Sequence, residues 1–291
     1  MAVALGPSPA EVTPQDYRPG NDSYARGVRE NGYMTVSLGI DIGGTGIKGA
    51  LVDVETGELV SERIKLSTPE GGEPEAIAAT VLELIGELGD IPAETPVGVC
   101  FPAVVRHGTT TSAANVSKSW IGLEAEKFFE KRLGRDITFV NDADAAGVAE
   151  ARYGAAKGQN GLIILTTLGT GIGSAIIYNG VLVPNSELGH LEMNGKDAER
   201  QAAYSAKERK NLDWDKWAKR LQQYYSMVEF LFSPDLIIVG GGVSKSHEEF
   251  LPLLKLTAPI IPAELRNNAG IVGAAALAVV PKVHRVAETI S

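Results

Sequence analysis

Two glycine-rich stretches, Gly43-Gly44-Thr45-Gly46 and Gly169-Thr170-Gly171-Ile172-Gly173, each follow an apolar run. Glycine has no Cβ to hold a ligand away, so backbone N–H groups in such turns can converge on an anion, and Thr45 and Thr170 add hydroxyl donors. A facing pair of turns would hold successive phosphates; either turn alone also suits an ordinary tight hairpin. Asp41 ends the strand before the first turn. A carboxylate beside phosphates repels them unless a cation lies between, which suits Mg²⁺ held through water, while a turn-capping Asp is the plainer use. Lys48 follows the turn, placed either to neutralise a phosphate or to sit in solvent on a strand. Asn141-Asp142 lies where an apolar run gives way to a helical pattern, the edge at which α/β folds set their sites. Asp142 can take a proton from a substrate hydroxyl there while Asn141 orients a sugar, and the same two residues suit plain helix capping. Glu187 and His190, three apart beside Gly189, can hydrogen-bond a polyol. Asn115 with Trp120 suits a polar loop with an aromatic floor, and Gly240-Gly241-Gly242 suits a turn against a phosphate or nucleotide tail.

The elements that must position these groups are legible in the patterning. Residues 35–66 read as an antiparallel meander of three strands around the first glycine turn. Pro74 opens a helix with Ile77, Val81, Leu84, Ile85 and Leu88 on one face. A buried strand at 96–103, a helix at 124–133, a strand at 136–140 and a helix after Asp142 follow. The runs GLIILTTL and GSAIIYNGVLV form a second hairpin. A long helix then places Trp217, Leu221, Tyr224, Val228 and Leu231 on one stripe until Ser233-Pro234 stops it. The strand DLIIVGGG and a last helix from about Asn268 complete an α/β chain of two similar halves. An internal echo supports the halving: residues 44–53 align without gaps on 169–178 with five of ten identical.

Gly44-x-Gly46-x-x-Gly49 satisfies the dinucleotide pattern G-x-G-x-x-G, but that pattern needs a helix directly after the turn. GALVDVETGELV alternates as a strand does, which counts against a nicotinamide oxidoreductase, and no phosphate-binding run G-x-x-x-x-G-K-[ST] is present.

Composition narrows the class. The chain has 291 residues, enough for about two domains and for a core that needs no staple. Its net charge is −9 with pI near 5.1, which argues against broad nucleic-acid or anionic-membrane binding. Cys100 is the sole cysteine, so neither an intrachain disulfide nor a multi-cysteine zinc site can form, and a reducing cytoplasm is expected. No apolar run approaches the ~18 residues of a membrane helix. Residues 1–32, rich in Pro and Gly and without periodicity, are expected to form a flexible arm and no secretory signal.

Leu38-Gly39-Ile40-Asp41-Ile42-Gly43-Gly44-Thr45 resembles the first phosphate motif of the actin/hexokinase superfamily. ELGH, with NDAD, LGTGIG and VGGG, resembles the ROK sugar kinases. FPAVVRHGTTTSAANVSKSWIG, NDADAAGVAEARYG and ELGHLEMNGKDAE resemble the polyphosphate-dependent glucokinases within that family, over residues 36–280 and in the family's order.

The resemblance implies two ribonuclease-H-like lobes around a central cleft, residues 33–139 plus 274–291 against 140–273. It implies a hexose kinase that transfers a phosphoryl group from polyphosphate or ATP to the 6-hydroxyl of glucose, with Mg²⁺, and leaves mannose open as a second acceptor. Asp142 would be the base. Asn115, Asn141, Asp142, Glu187 and His190 would hold the sugar. Gly43, Gly44, Thr45, Lys48, Thr170, Gly171 and Gly173 would surround the donor, with Gly241 and Gly242 nearer a nucleotide's far end. The cysteine-rich zinc loop of many ROK proteins is missing, so no structural zinc is expected, and the family's later sugar-binding glutamate finds only Glu199, and less well Glu192, as a counterpart. A polyphosphate chain would need a basic track, for which Lys48, Arg106, His107 and Lys118 are the expectation. The alternative is a non-catalytic sugar-sensing regulator on the same scaffold, although the short arm leaves no room for a helix-turn-helix. A monomer or a homodimer fits equally.

Overall fold

The computed structural model describes residues 36–113 and 116–280. The expected N-terminal arm, residues 281–291 and Asn115 lie outside the described residues.

The chain enters as strand β1 (Val36–Ile42), turns through Gly43–Gly46 into β2 (Ile47–Asp53), and returns as β3 (Ile64–Leu66). Helix α1 (Pro74–Glu87) precedes β4 (Val97–Phe101), the short ribbon β5 (Val105–Arg106) and β6 (Thr109–Thr110), α2 (Ala125–Leu133) and β7 (Thr138–Asn141). These build a sheet of order β3-β2-β1-β4-β7, antiparallel across the meander and parallel from β1 to β7. Helix α3 (Asp142–Tyr153) leads to β8 (Leu162–Leu168), β9 (Ile172–Tyr178), β10 (Val181–Val183) and the ribbon β11 (Glu192–Met193) and β12 (Lys196–Asp197). Then come α4 (Glu199–Ala202), α5 (Tyr204–Arg209), α6 (Trp214–Phe232), β13 (Leu236–Gly240), β14 (Ile260–Pro262) and α7 (Ala269–Ala278). The second sheet has order β10-β9-β8-β13-β14, the same arrangement as the first.

The echo at 44–53 and 169–178 is therefore a repeated hairpin. β1 and β8 bury the same positions, as β2 and β9 do up to their last residue, and each turn closes on its own backbone: Gly43 N–H donates to Gly46 at 3.0 Å and Gly169 N–H to Gly171 at 3.0 Å. Because β2 follows the first turn where a dinucleotide fold has a helix, the oxidoreductase reading falls.

Each sheet has its own core, and a third lies between them. Around the first, Phe101, Trp120, Phe129 and Phe139 pack ring on ring. Trp120 is fully buried, and its indole N–H donates to the Gly72 carbonyl at 2.8 Å. The expectation of an aromatic floor under a polar loop is thus corrected: a large apolar ring contributes more inside this aromatic core than beside water. On the second sheet, Trp217, Leu221, Tyr224 and Val228 of α6 are fully buried, while Leu231 is 56% exposed and Phe232, the last residue before the αL cap at Ser233, packs on the core in its place.

Helices α3 and α7 fill the space between the sheets with small residues, against aliphatics of β2, β8, β9 and β13. The approach is backbone to backbone. A Cβ on Gly273 would lie 1.7 Å from the Ala145 carbonyl oxygen of α3, and one on Gly98 of β4 would lie 1.9 Å from the Ala274 carbonyl oxygen of α7. Backbone atoms cannot yield as a flexible side chain can, so both positions require glycine. Gly273→Ala is expected to destabilise the protein by about 1–3 kcal/mol, the usual cost of overpacking a full core; urea unfolding midpoints measure this, and a midpoint equal to the parent's would show that the helices can separate freely.

Candidate active site

A cleft of about 640 Å³ opens where the two repeated halves meet. Its lining includes both glycine turns (Gly43, Gly44; Gly169, Thr170, Gly171, Gly173), the exits of the parallel strands β4 and β7 (Pro102, Ala103; Asn141, Asp142), and Glu187, His190 and Glu199. A smaller cavity of about 190 Å³ continues behind it, bounded by Asp41, Lys48, Asp142, Gly240–Gly242 and Arg266. Asp142 and Gly241 belong to both.

Asp142 occupies the first position of α3, and its Oδ1 accepts from the Ala143 N–H at 2.8 Å. Burial, reinforced by the negative charge of Asp41 and then of Glu187, outweighs that hydrogen bond and pushes its pKa up to about 7. A carboxylate with that proton affinity is matched to accept a proton near neutral pH. Asn141 beside it is the N-cap: its Oδ1 accepts from the N–H groups of Ala143 and Asp144 and its Nδ2 donates to the Ala103 carbonyl at 3.0 Å. One amide N–H remains for a ligand.

Asp41 and Lys48 face one another across β1 and β2 and form an ion pair at 2.9 Å. Lys48 is therefore held by Asp41 rather than free above the turn. Asp41 Oδ1 has the buried Cys100 thiol at 3.6 Å, and burial followed by the Asp41 and Asp142 charges raises that thiol's pKa. Thr45 is exposed and outside the cleft, whereas Thr170 lines it. Gly242 borders only the smaller cavity.

Also lining the cleft, His190 lies 3.5 Å from Asp197 and 3.9 Å from Glu187, whose carboxyl is pushed up mainly by burial. Glu199 accepts from the Ile172 N–H at 3.3 Å and reaches over Gly171. Of the two glutamates weighed for the later sugar position, Glu199 stands in the cleft and Glu192 is exposed on β11 outside its lining. His190, Asp197 and Glu199 also offer ligand atoms within 4.8 Å of one another, a geometry a cation could use.

Several residues escaped the sequence reading. Thr167 touches both cavities, and Arg266 and Asn267 add a cation and an amide to the smaller one; the polar run Arg-Asn-Asn before the last helix was the available signal. Asp144 is 3% exposed. It accepts from the Asn185 N–H at 2.8 Å through Oδ2, while Oδ1 has no partner among the described residues. Asn185 in turn grips Val105, accepting from its N–H at 2.8 Å and donating to its carbonyl at 2.9 Å. The segment after β10 that carries the glutamate–histidine pair is thereby tied to β5.

Burial pushes the Asp144 carboxyl up to about 7 against the lowering effect of the Asn185 hydrogen bond. An unfolded aspartate titrates near 4. The folded protein thus binds the extra proton between these values, and the stabilisation is complete below pH 4 and lost as pH rises through 7. Asp144→Asn keeps an acceptor for Asn185 without the charge. Its stability relative to the parent should increase by about 1–3 kcal/mol between pH 5 and pH 8; a difference between the two denaturant midpoints that is the same at both pH values would contradict this.

A family model described as ROK family matches residues 37–203. The chain is 49% identical over 248 residues to a polyphosphate glucokinase of Mycobacterium tuberculosis, an alignment that covers 85% of this chain and 92% of the relative. It is 54% identical to the crystal structure of an inorganic polyphosphate/ATP-glucomannokinase from Arthrobacter sp. strain KM, with TM-score 0.81 over 84% of this chain and 98% of that one. A ROK family glucokinase of Streptomyces griseus, solved with glucose and AMPPNP, shares the fold at 24% identity and TM-score 0.69 over 83% of this chain and 98% of that one. With more than half its length matched by the family model and a relative of this identity aligned over most of both chains, this chain belongs to the ROK family.

Proposed function

We propose that this protein is a hexose kinase that moves a phosphoryl group from inorganic polyphosphate or ATP to the 6-hydroxyl of glucose. The observation that carries the reading is the place of Asp142, a carboxylate of raised proton affinity in a cleft whose lining also holds both glycine turns and the polar groups of Glu187, His190 and Glu199. The relatives named polyphosphate glucokinase and polyphosphate/ATP-glucomannokinase support the same donors and acceptor, and the second adds mannose as an acceptor.

In this reading Glu187, His190, Glu199 and the free N–H of Asn141 hold the sugar hydroxyls, with Asn115 joining them. Asp142 orients the 6-hydroxyl and accepts its proton as the oxygen attacks phosphorus. Phosphoryl transfer has a loose transition state, so most of the rate comes from alignment and charge stabilisation. The amides of the Gly43–Gly44 and Gly169–Gly171 turns and the Thr170 hydroxyl cradle the donor phosphates, and Gly241–Gly242 meet a nucleotide's far end. Asp41 fits a divalent ion: Lys48 occupies Oδ2, and Oδ1, met only by a weakly donating thiol, is a hard oxygen open to a metal-bound water. Mg²⁺ held there would neutralise charge on the transferred group. Closure of the two halves, residues 33–139 with the C-terminal segment against 140–273, would exclude water as a competing acceptor. No helix among the described residues is long and apolar enough to cross a membrane, and a cytoplasmic location suits both donors.

With Mg²⁺ and glucose, the purified chain is expected to form glucose 6-phosphate from polyphosphate and from ATP in separate reactions; absence of product in both would favour the sugar-sensing regulator instead. Asp142→Ala should lower kcat by about 10²- to 10⁴-fold with the fold intact, the range for losing a general base. Because the base must be ionised, kcat/KM should rise with pH through about 7 and then level off. Parent-like turnover in the variant, or a flat profile between pH 5.5 and 8.5, would remove Asp142 from the role.

A further inference from the structure

The protein is acidic overall, yet residues 196–220 carry eight Lys and Arg against five Asp and Glu. Lys196 comes from the β11–β12 ribbon, Arg209 and Lys210 from the end of α5, and Arg220 from α6. Three separate elements therefore bring cations to one patch. Two of them are fixed in place by carbonyls of α4: Arg209 donates to Arg200 at 3.1 Å and Arg220 to Gln201 at 3.1 Å. None of Lys196, Arg209, Lys210 and Arg220 has an ion-pair partner among the described residues, whereas Arg200 has Asp197 at 3.7 Å and Lys216 has Asp213 at 2.9 Å. Their mutual repulsion is strong enough to lower the pKa of exposed Lys210, through Arg220 first, then slight burial, then Arg209 and Lys196. Cations at a helix C-terminus commonly answer the helix dipole. That account covers Arg209 and Lys210 but not the two that arrive from other elements.

The patch stands on the elements that form the donor side of the cleft. Ser205 of α5 donates from its N–H to Gly169 at 3.0 Å and from its hydroxyl to Thr170 at 2.6 Å, both within the second glycine turn. Lys210 lies five residues further along, about 7 Å at the helical rise. Glu199, one residue before Arg200, lines the cleft itself.

We propose that Lys196, Arg209, Lys210 and Arg220 form a binding site for the distal phosphates of a linear polyphosphate whose reacting end lies at the Gly169–Gly171 turn. The inference rests on the donor reading above. It moves the anionic track away from Arg106, His107 and Lys118, and it separates the two donors. A nucleotide's far end goes toward Gly241–Gly242 and the smaller cavity, whereas a chain charged on every phosphate runs over the end of α5. Unpaired cations facing each other without a counter-charge cost free energy in the free protein, and a polyanion relieves that cost while releasing its own counterions.

The test compares the full chain with the double variant Arg209→Glu/Lys210→Glu, using long-chain polyphosphate, tripolyphosphate and ATP with glucose. Thermal melting checks that these exposed substitutions leave the fold intact. The KM for long chains should rise about tenfold relative to that for tripolyphosphate, and the dependence of log KM on log salt should become shallower by about 1–2 in slope. Arg209→Lys/Lys210→Arg should restore the parent behaviour. An unchanged KM for long chains would overturn the inference, as would an equal rise for long chains and tripolyphosphate. A loss in Arg266→Glu with none in the double variant would place the chain in the smaller cavity and also overturn it. If the parent itself forms product from ATP but from no polyphosphate, the donor reading fails and the inference fails with it.

Discussion

The contact between the backbones of α3 and α7 is the constraint on which the rest depends. Gly273 lets the two helices touch, and Gly98 lets α7 press onto β4. The first residue of α3 is Asp142, so the depth to which this helix pair is driven between the sheets fixes where that carboxylate stands relative to both glycine turns. Side chains of ordinary size at these contacts would push the halves apart, and the cleft is the space that remains at their C-terminal edge.

The same packing creates the electrostatics. Burial at the first turn of α3 removes water from Asp142, and Asp41 and Glu187 add negative charge, so the carboxyl holds its proton more tightly than a free aspartate. Asp41 itself is joined to Lys48 in a cross-strand pair. The site therefore separates two carboxylates by environment, one beside a cation and the other desolvated, which is what the proposed metal-bound water and proton transfer would each require. Opposed environments for neighbouring carboxylates are how one fold performs acid and base chemistry at a single pH. Further out, Asp144, Asn185 and Val105 link the segment of Glu187 and His190 to β5, so the groups proposed to hold the sugar are set by bonds between residues as far as 80 positions apart.

The donor side differs in kind. It is built from backbone amides on a repeated hairpin, with cations gathered outside the cleft on α5, α6 and the β11–β12 ribbon. In the proposed reading such amides would grip any terminal phosphate alike, and the donors would be told apart beyond them, at the smaller cavity or on the cationic patch.

By itself the sequence determined the local order. Alternating and 3.6-residue periodicities, Pro74 at a helix start, and glycine turns after apolar runs marked the strands and helices within a few residues, because those signals depend on near neighbours. The repeat at 44–53 and 169–178 foretold the matching sheets for the same reason. Asn141-Asp142, Glu187, His190 and the turn glycines were legible as motifs whose types and spacing suit one chemistry. Only the tertiary structure decided which of them meet. It buried Trp120 in an aromatic core, left Leu231 in solvent, paired Lys48 with Asp41, kept Thr45 out of the cleft and brought Glu199 into it. It also supplied Arg266, Asp144 and Asn185, whose roles come from partners as far as 80 residues away. Burial, charge and hydrogen bonding sum over everything that converges in space, and no window of sequence contains that sum.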